Sequence, residues 1–234
     1  MKIFTERPWW ARRASIRPLS LKNRLRELLC ERQLEPIGDM AVRNTRVLGS
    51  LIALTYDPDP LVGWRAVEAL GQAADRVAEV DPERVREHLR RLHWLLSEES
   101  GGVCWRAPEA MAEIVRRRPA LFATYVPIII FLIPNMSPED LIQFRAGALW
   151  AIGRLGSVAG QHTPALLPAV VAALDEPDPQ VRGMAVWCLG EQGQAGLLEG
   201  RADLLCDEGR VQLYQDGFLR ITTVGRLVRH VRGG

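Results

Sequence analysis

Three residue types that anchor interfaces recur in step along this chain of 234 residues. Trp64, Arg65 and Glu68 are followed by Trp105, Arg106 and Glu109 at the same relative positions. Arg145 and Trp150, then Arg182 and Trp187, continue the set when the segments are aligned on Ala66, Ala107, Ala148 and Ala185. Trp and Arg are the side chains that most often carry binding energy at interfaces. The chemistry on offer is therefore recognition, by a Trp/Arg/Glu face able to grip a peptide, a protein helix or a flat ligand. The same residues admit a second reading, in which each Trp packs on the neighbouring repeat and Arg–Glu pairs add solvated support.

Other chemistry is poorly represented. His88, His93, His162 and His230 form no ligand cluster, since 88 and 93 are five apart and face different ways on a helix. The four cysteines, Cys30, Cys104, Cys188 and Cys206, are scattered without a C-x-x-C, and a chain this long buries a core without disulfides. Reduced thiols are expected. Cys104 stands near an expected helix start, where a thiol pKa falls, although a small residue suits a tight helix entrance equally. No Gly-rich phosphate loop, Ser–His–Asp order or nucleophile elbow occurs. No catalytic residue, metal or cofactor is expected.

What must hold the face together is a repeat. A turn is followed by an apolar residue, an alanine four further on, a small residue, an aliphatic and Gly or Ala. The copies run Asp57 to Gly71, Ser100 to Ala112, Ser137 to Gly153 and Glu176 to Gly190. Their alanines are 41, 41 and 37 residues apart, near the 40–47 residues of stacked helix pairs. In the turns Asp57-Pro-Asp-Pro and Glu176-Pro-Asp-Pro, proline stops one helix and Asp59 or Asp178 caps the next. Val62, Ala66 and Leu70 share a face at i, i+4 and i+8, as do Phe144, Ala148, Ile152 and Val181, Ala185, Leu189. Residues 61, 64, 65, 68 and 72 are left on the other side. Apolar runs at Val47–Leu54, Leu89–Leu96, Leu121–Leu132 and Leu166–Leu174 supply the first helix of each pair. The second copy departs from the pattern: Ser100-Gly101-Gly102 replaces the acidic-proline turn, and a helix starting near Gly102 would be kinked by Pro108.

These residues resemble the HEAT-repeat family, including the HEAT-like repeats of phycobilin lyases, over roughly residues 42–195. The resemblance implies an all-α, right-handed α-solenoid of about four helix pairs, with second helices lining the concave side. Residues 1–41 are expected to form a basic arm and a capping helix around Leu21, Leu25, Leu28 and Leu29. Residues 196–234 are expected to form a second cap. There Val211–Tyr214 and Phe218–Ile221 alternate about Asp216-Gly217, a strong hairpin signal, before a short helix at Val224–Val231.

Charge is unevenly spread. Residues 1–46 hold 11 Lys/Arg against 5 Asp/Glu, residues 47–209 hold 14 against 22, and residues 210–234 hold 5 against 1. An acidic body between basic ends disfavours a nucleic-acid groove along the repeats. Pro8-Trp9-Trp10-Ala-Arg12-Arg13 reads as an arm tucked over the first repeat, Arg116-Arg117-Arg118 as complements to a helix C-terminus, and Gly233-Gly234 as a frayed end. The longest apolar run, Val126–Ile133, is too short to span a membrane, and no signal h-region follows Arg12 and Arg13, so the expected compartment is the cytoplasm.

The function expected from all this is a non-enzymatic scaffold that binds a partner protein or peptide along Trp64, Arg65, Glu68, Trp105, Arg106, Glu109, Arg145, Trp150, Arg182 and Trp187. Two other roles come only from the resemblance. One is nucleic-acid chemistry like that of HEAT-like DNA glycosylases, which hold alkylated bases with concave aromatics and an acid. The other is a chromophore lyase or chaperone.

Overall fold

The computed structural model describes residues 20–96, 106–135 and 141–233. The arm at Pro8–Arg13, the thiol of Cys104 and the ring of Trp105 lie outside the described residues. The helices are α1 (Leu21–Cys30), α2 (Leu34–Arg43), α3 (Arg46–Leu54), α4 (Pro60–Ala78), α5 (Pro82–Leu96), α6 (Ala107–Arg117), α7 (Pro119–Phe122), α8 (Val126–Ile130), α9 (Ile142–Leu155), α10 (Thr163–Ala172), α11 (Pro179–Glu191), α12 (Ala202–Leu205) and α13 (Val224–Gly233). Strands β1 (Arg210–Gln215) and β2 (Phe218–Thr223) form an antiparallel hairpin between α12 and α13.

Helices α2, α4, α6, α9, α11 and α13 stack in sequence as one layer, each packing on the next. Helices α1, α3, α5, the α7–α8 pair and α10 supply the other layer. The four expected pairs are therefore present, and α1 with α2 adds a further pair ahead of them. One continuous hydrophobic core runs from Leu25 to Val228.

The turn chemistry works as the sequence requires. The side chains of Asp59 and Asp178 accept from the N–H groups of Leu61 at 2.9 Å and Gln180 at 2.8 Å, with Pro60 and Pro179 in the first turns. Such caps contribute about 1 kcal/mol each. Val62, Ala66, Leu70, Ala148, Ile152, Val181, Ala185 and Leu189 are all buried, and Phe144 is half-buried. Pro108 does not kink α6. The helix begins at Ala107, so Pro108 falls in the first turn, where its missing N–H would have had no intrahelical acceptor.

The hairpin turn places Asp216 and Gly217 at φ 53° and 84°. Both values suit the two-residue type I′ turn that matches the twist of paired strands. The hairpin packs on α11 through β1 and on α4 through β2. Those helices belong to the last and first of the four repeats, so the layer of second helices curves around it.

Candidate functional site

The expected Trp/Arg/Glu register lies beneath this hairpin. Tyr214 on β1 stacks on Trp64, with centroids 5.2 Å apart and planes 4° from parallel. Trp64 meets Trp150 at 4.7 Å and 57°, and Trp150 stacks on Trp187 at 6.0 Å and 11°. The Trp150 indole N–H donates to the Tyr214 carbonyl at 3.1 Å. Trp150 and Trp187 are only 2% and 3% exposed, and Trp187 fits over Gly153, where a Cβ would collide with its ring. Three of the aligned tryptophans thus join one aromatic row shared by α4, α9, α11 and β1.

Most of the charged members hold other parts of the chain. Arg65 donates to the carbonyls of Leu29 at 3.1 Å and Cys30 at 2.6 Å, at the end of α1, and to Gly217 at 3.3 Å in the hairpin turn. Glu68 accepts from the Tyr214 hydroxyl at 2.5 Å and from Arg32 at 2.9 Å. Burial would raise the Glu68 carboxyl, but the hydrogen bonds from Arg32 and Tyr214 outweigh it and hold the group below its ordinary value. The buried Arg145 pairs with Glu176. Arg182 pairs with Asp207 at 2.7 Å and donates to the carbonyls of Glu176 and Pro177.

Arg106 and Glu109 differ from these. They stand in the first turn of α6, bordering a cleft of about 410 Å³ that Trp64, Trp150, Gln143, Ala146, Met184 and Gln212 help to line. The Arg106 guanidinium lies over the Trp64 ring, 4.2 Å from its centroid, in the geometry of a cation–π contact. Among the described residues it has neither a hydrogen-bond acceptor nor an ion-pair partner. Glu109 is 2% exposed, and its Oε2 has no hydrogen-bond partner. Gly147 on α9 makes room for this carboxyl, because a Cβ there would overlap Oε1. Burial pushes the Glu109 carboxyl up to about 7, with the charge of Arg106 pulling the other way. Burial also lowers the Arg106 guanidinium, opposed by Glu109.

The far side of the cleft is bordered by Gln180 and Gln212. The Gln180 carboxamide donates to the Gln212 carbonyl at 2.8 Å and accepts from its N–H at 2.7 Å, pairing the outer edge of β1 as a neighbouring strand would. Of the expected residues, then, Trp64, Arg106, Glu109 and Trp150 share one cleft. Gln143, Met184, Gln180 and Gln212 were not expected in the cleft, nor Tyr214 in the aromatic row beside it. Tyr214 had a visible signal, the alternation about Asp216-Gly217, but nothing local indicated which helix the hairpin would meet. Among the described residues no cluster of His, Cys, Asp and Glu could hold a metal ion. Burial drives the Cys188 thiol far above its ordinary value, which leaves it inert.

A family model described as HEAT-like repeat matches residues 142–191, the stretch from the start of α9 to the end of α11. The chain is built of HEAT-like repeats. An uncharacterised protein of Archaeoglobus fulgidus is 32% identical over 114 residues, which make up 49% of this chain and 56% of that protein. The chain thus spans little more than half the length of this relative. The crystal structure of an archaeal HEAT-like repeats protein from Thermococcus onnurineus NA1 aligns at 18% identity with a TM-score of 0.35, covering 92% of this chain and 99% of that one. Within the HEAT-like repeats here, the first turns of α6 and α9 carry the cleft, and the turn before α11 carries Asp178 to its rim.

Proposed function

We propose that this HEAT-like repeat protein is a non-enzymatic interaction scaffold that receives a segment of a partner protein in the cleft between α6, α9, α11 and β1. The observation that carries the reading is the state of the polar groups along the second helices. Arg65, Glu68 and Arg182 have their partners within the chain and Arg145 pairs with Glu176, whereas the cleft is bordered by Arg106, which has no hydrogen-bond partner among the described residues, and by Glu109, whose buried Oε2 has none. Buried polar groups are nearly always hydrogen-bonded, so the exceptions mark places where a partner is missing. The cleft volume also falls in the range of about 300–1,000 Å³ usual for sites that bury a ligand group.

Two observations weigh against nucleic-acid chemistry at this face. The body is acidic, and the rings of Trp150 and Trp187 are covered, leaving little aromatic surface on which a base could stack. Among the described residues no helix is long and apolar enough to cross a membrane.

The test uses the exposed cleft residue Gln143, whose replacement leaves the core untouched. Crosslinking capture from native lysate with the wild-type chain and with Gln143→Trp should yield a partner held by the first and lost by the second. Equal capture by both chains, or capture by neither, sinks the reading.

A further inference from the structure

The two edges of the hairpin are treated differently. Across a two-residue turn the flanking residues, Gln215 and Phe218, exchange both backbone hydrogen bonds, and every second pair after them does the same. Tyr214 and Gln212 on β1 therefore turn their backbone groups outward, and both are taken up. Trp150 donates to the Tyr214 carbonyl, and the Gln180 carboxamide pairs with Gln212. On β2 the outward groups are those of Leu219 and Ile221. Among the described residues these have no hydrogen-bond partner, and β1 is the only strand beside β2. The side chains of this strand are also open. Phe218 is 53% exposed and Ile221 63%, whereas Val211, Leu213 and Tyr214 of β1 are buried. The hairpin is thus anchored through β1 and presents β2.

An edge strand with free N–H and C=O groups is a template for another strand. The charge of the cap selects which one. Arg220 lies in the middle of β2 on the same face as Phe218. Arg210, opposite Thr223, and Arg226, whose N–H bonds to the Thr223 hydroxyl, stand at the far end of the strand. All three arginines are exposed, and none has an ion-pair partner among the described residues. A second copy would bring the same arginines to the seam, and like charges across a strand pair are destabilising. Residues 1–19, with five Lys/Arg against one Asp/Glu, carry the same sign. Nucleic acid matches the charge but has no ladder of backbone N–H and C=O groups to offer.

We infer that the outer edge of β2 takes up an extended acidic segment of a partner protein as a third strand. The backbone of that segment pairs with Leu219 and Ile221. Its carboxylates lie on the face of Arg220, and its alternate apolar side chains lie on the other face, beside Ile221. Arg220 is the specificity-determining residue, since it repels a basic strand and attracts an acidic one. This surface is separate from the cleft, which is bordered by β1.

Fluorescence polarisation with octapeptide pools tests the assignment. In the acidic pool Glu alternates with an equimolar mixture of Val, Ile, Leu, Phe and Tyr; in the basic pool Lys replaces Glu. Both are amidated and carry fluorescein at the N-terminus. The acidic pool should bind, and the basic pool should bind ten-fold or more weaker. Arg220→Glu, with helicity by circular dichroism unchanged, should reverse that preference. N-methylation of one alternate set of peptide nitrogens should abolish binding, and methylation of the other set should spare it, because only one set faces β2. The Gln143→Trp chain should bind the acidic pool as the wild type does. The inference is overturned if neither pool binds, or if both methylated sets bind like the unmodified pool, which would leave charge alone. It also falls if an oligothymidylate of equal charge displaces the pool as well as unlabelled peptide does, or if Gln143→Trp removes binding, which would place the peptide in the cleft. A concentration-dependent dimer of the chain alone, dissolved by Ile221→Lys, would assign the edge to a second copy and overturn it too.

Discussion

At the scale of single residues, Glu109 and Trp187 illustrate two fates of the same register. Glu109 is an acid whose pKa is raised to about 7 in the fold from an ordinary value of 4.5. A raised acid pKa means that folding favours the protonated form. Its cost to stability is absent below about pH 4.5, grows as the pH climbs, and is fully present above about pH 7. Glu109→Gln removes that ionisation, so its stabilising effect should be small at pH 5 and reach the order of 3 kcal/mol at pH 8. Denaturant melts at the two pH values measure this, and an equal effect at both would contradict the burial argument. Trp187 lies over Gly153 in the core, so Trp187→Ala is expected to destabilise by about 3–5 kcal/mol. A melting temperature unchanged by that substitution would mean that the ring is not packed as described.

At the scale of elements, Tyr214 is one of the residues that fasten the hairpin to the helices. Tyr214 stacks on Trp64, donates to Glu68 and receives Trp150 at its carbonyl. Tyr214→Phe keeps the stack and loses a hydrogen bond to a charged acceptor, which costs roughly 1.5–3 kcal/mol. Tyr214→Ala loses both and should cost more, roughly 3–5 kcal/mol. Urea unfolding of both variants checks the order, and equal losses would show that the stack contributes nothing. The elements themselves were largely legible in the sequence. Aspartate and proline at the turns before α4 and α11 located their starts, and the alanine stripe predicted the buried face. Asp216-Gly217 predicted the hairpin and its turn. The start of α6 departs from the expected position near Gly102 because proline's missing N–H fits the first turn of a helix rather than its interior. The extra pair α1–α2 carries no such mark, since Leu34–Arg43 lacks the acidic-proline turn of the later copies.

At the scale of the whole molecule, what the sequence withheld is where the C-terminal cap rests. A repeat pattern reports neighbours about forty residues apart, and the Tyr214–Glu68 hydrogen bond joins residues 146 positions apart. No periodicity encodes a contact that occurs once. The outward positions 61, 64, 65, 68 and 72 are accordingly half-buried rather than open. The part of the site that survived as a cleft lies where the hairpin stops short, at Arg106 and Glu109.

The return of the hairpin to the first repeat also bears on how this array can change. Ordinary solenoids are modular: each unit touches only those beside it, so units are gained or lost with little effect elsewhere. Here the turn at Gly217 is held by Arg65, and β1 leans on α11, three repeats away from α4 along the stack. Insert or delete one helix pair between them and Tyr214 no longer reaches Trp64. The strap therefore counts the repeats. It turns an open-ended spring into a ring of fixed circumference, in which unit number is as constrained as any core residue.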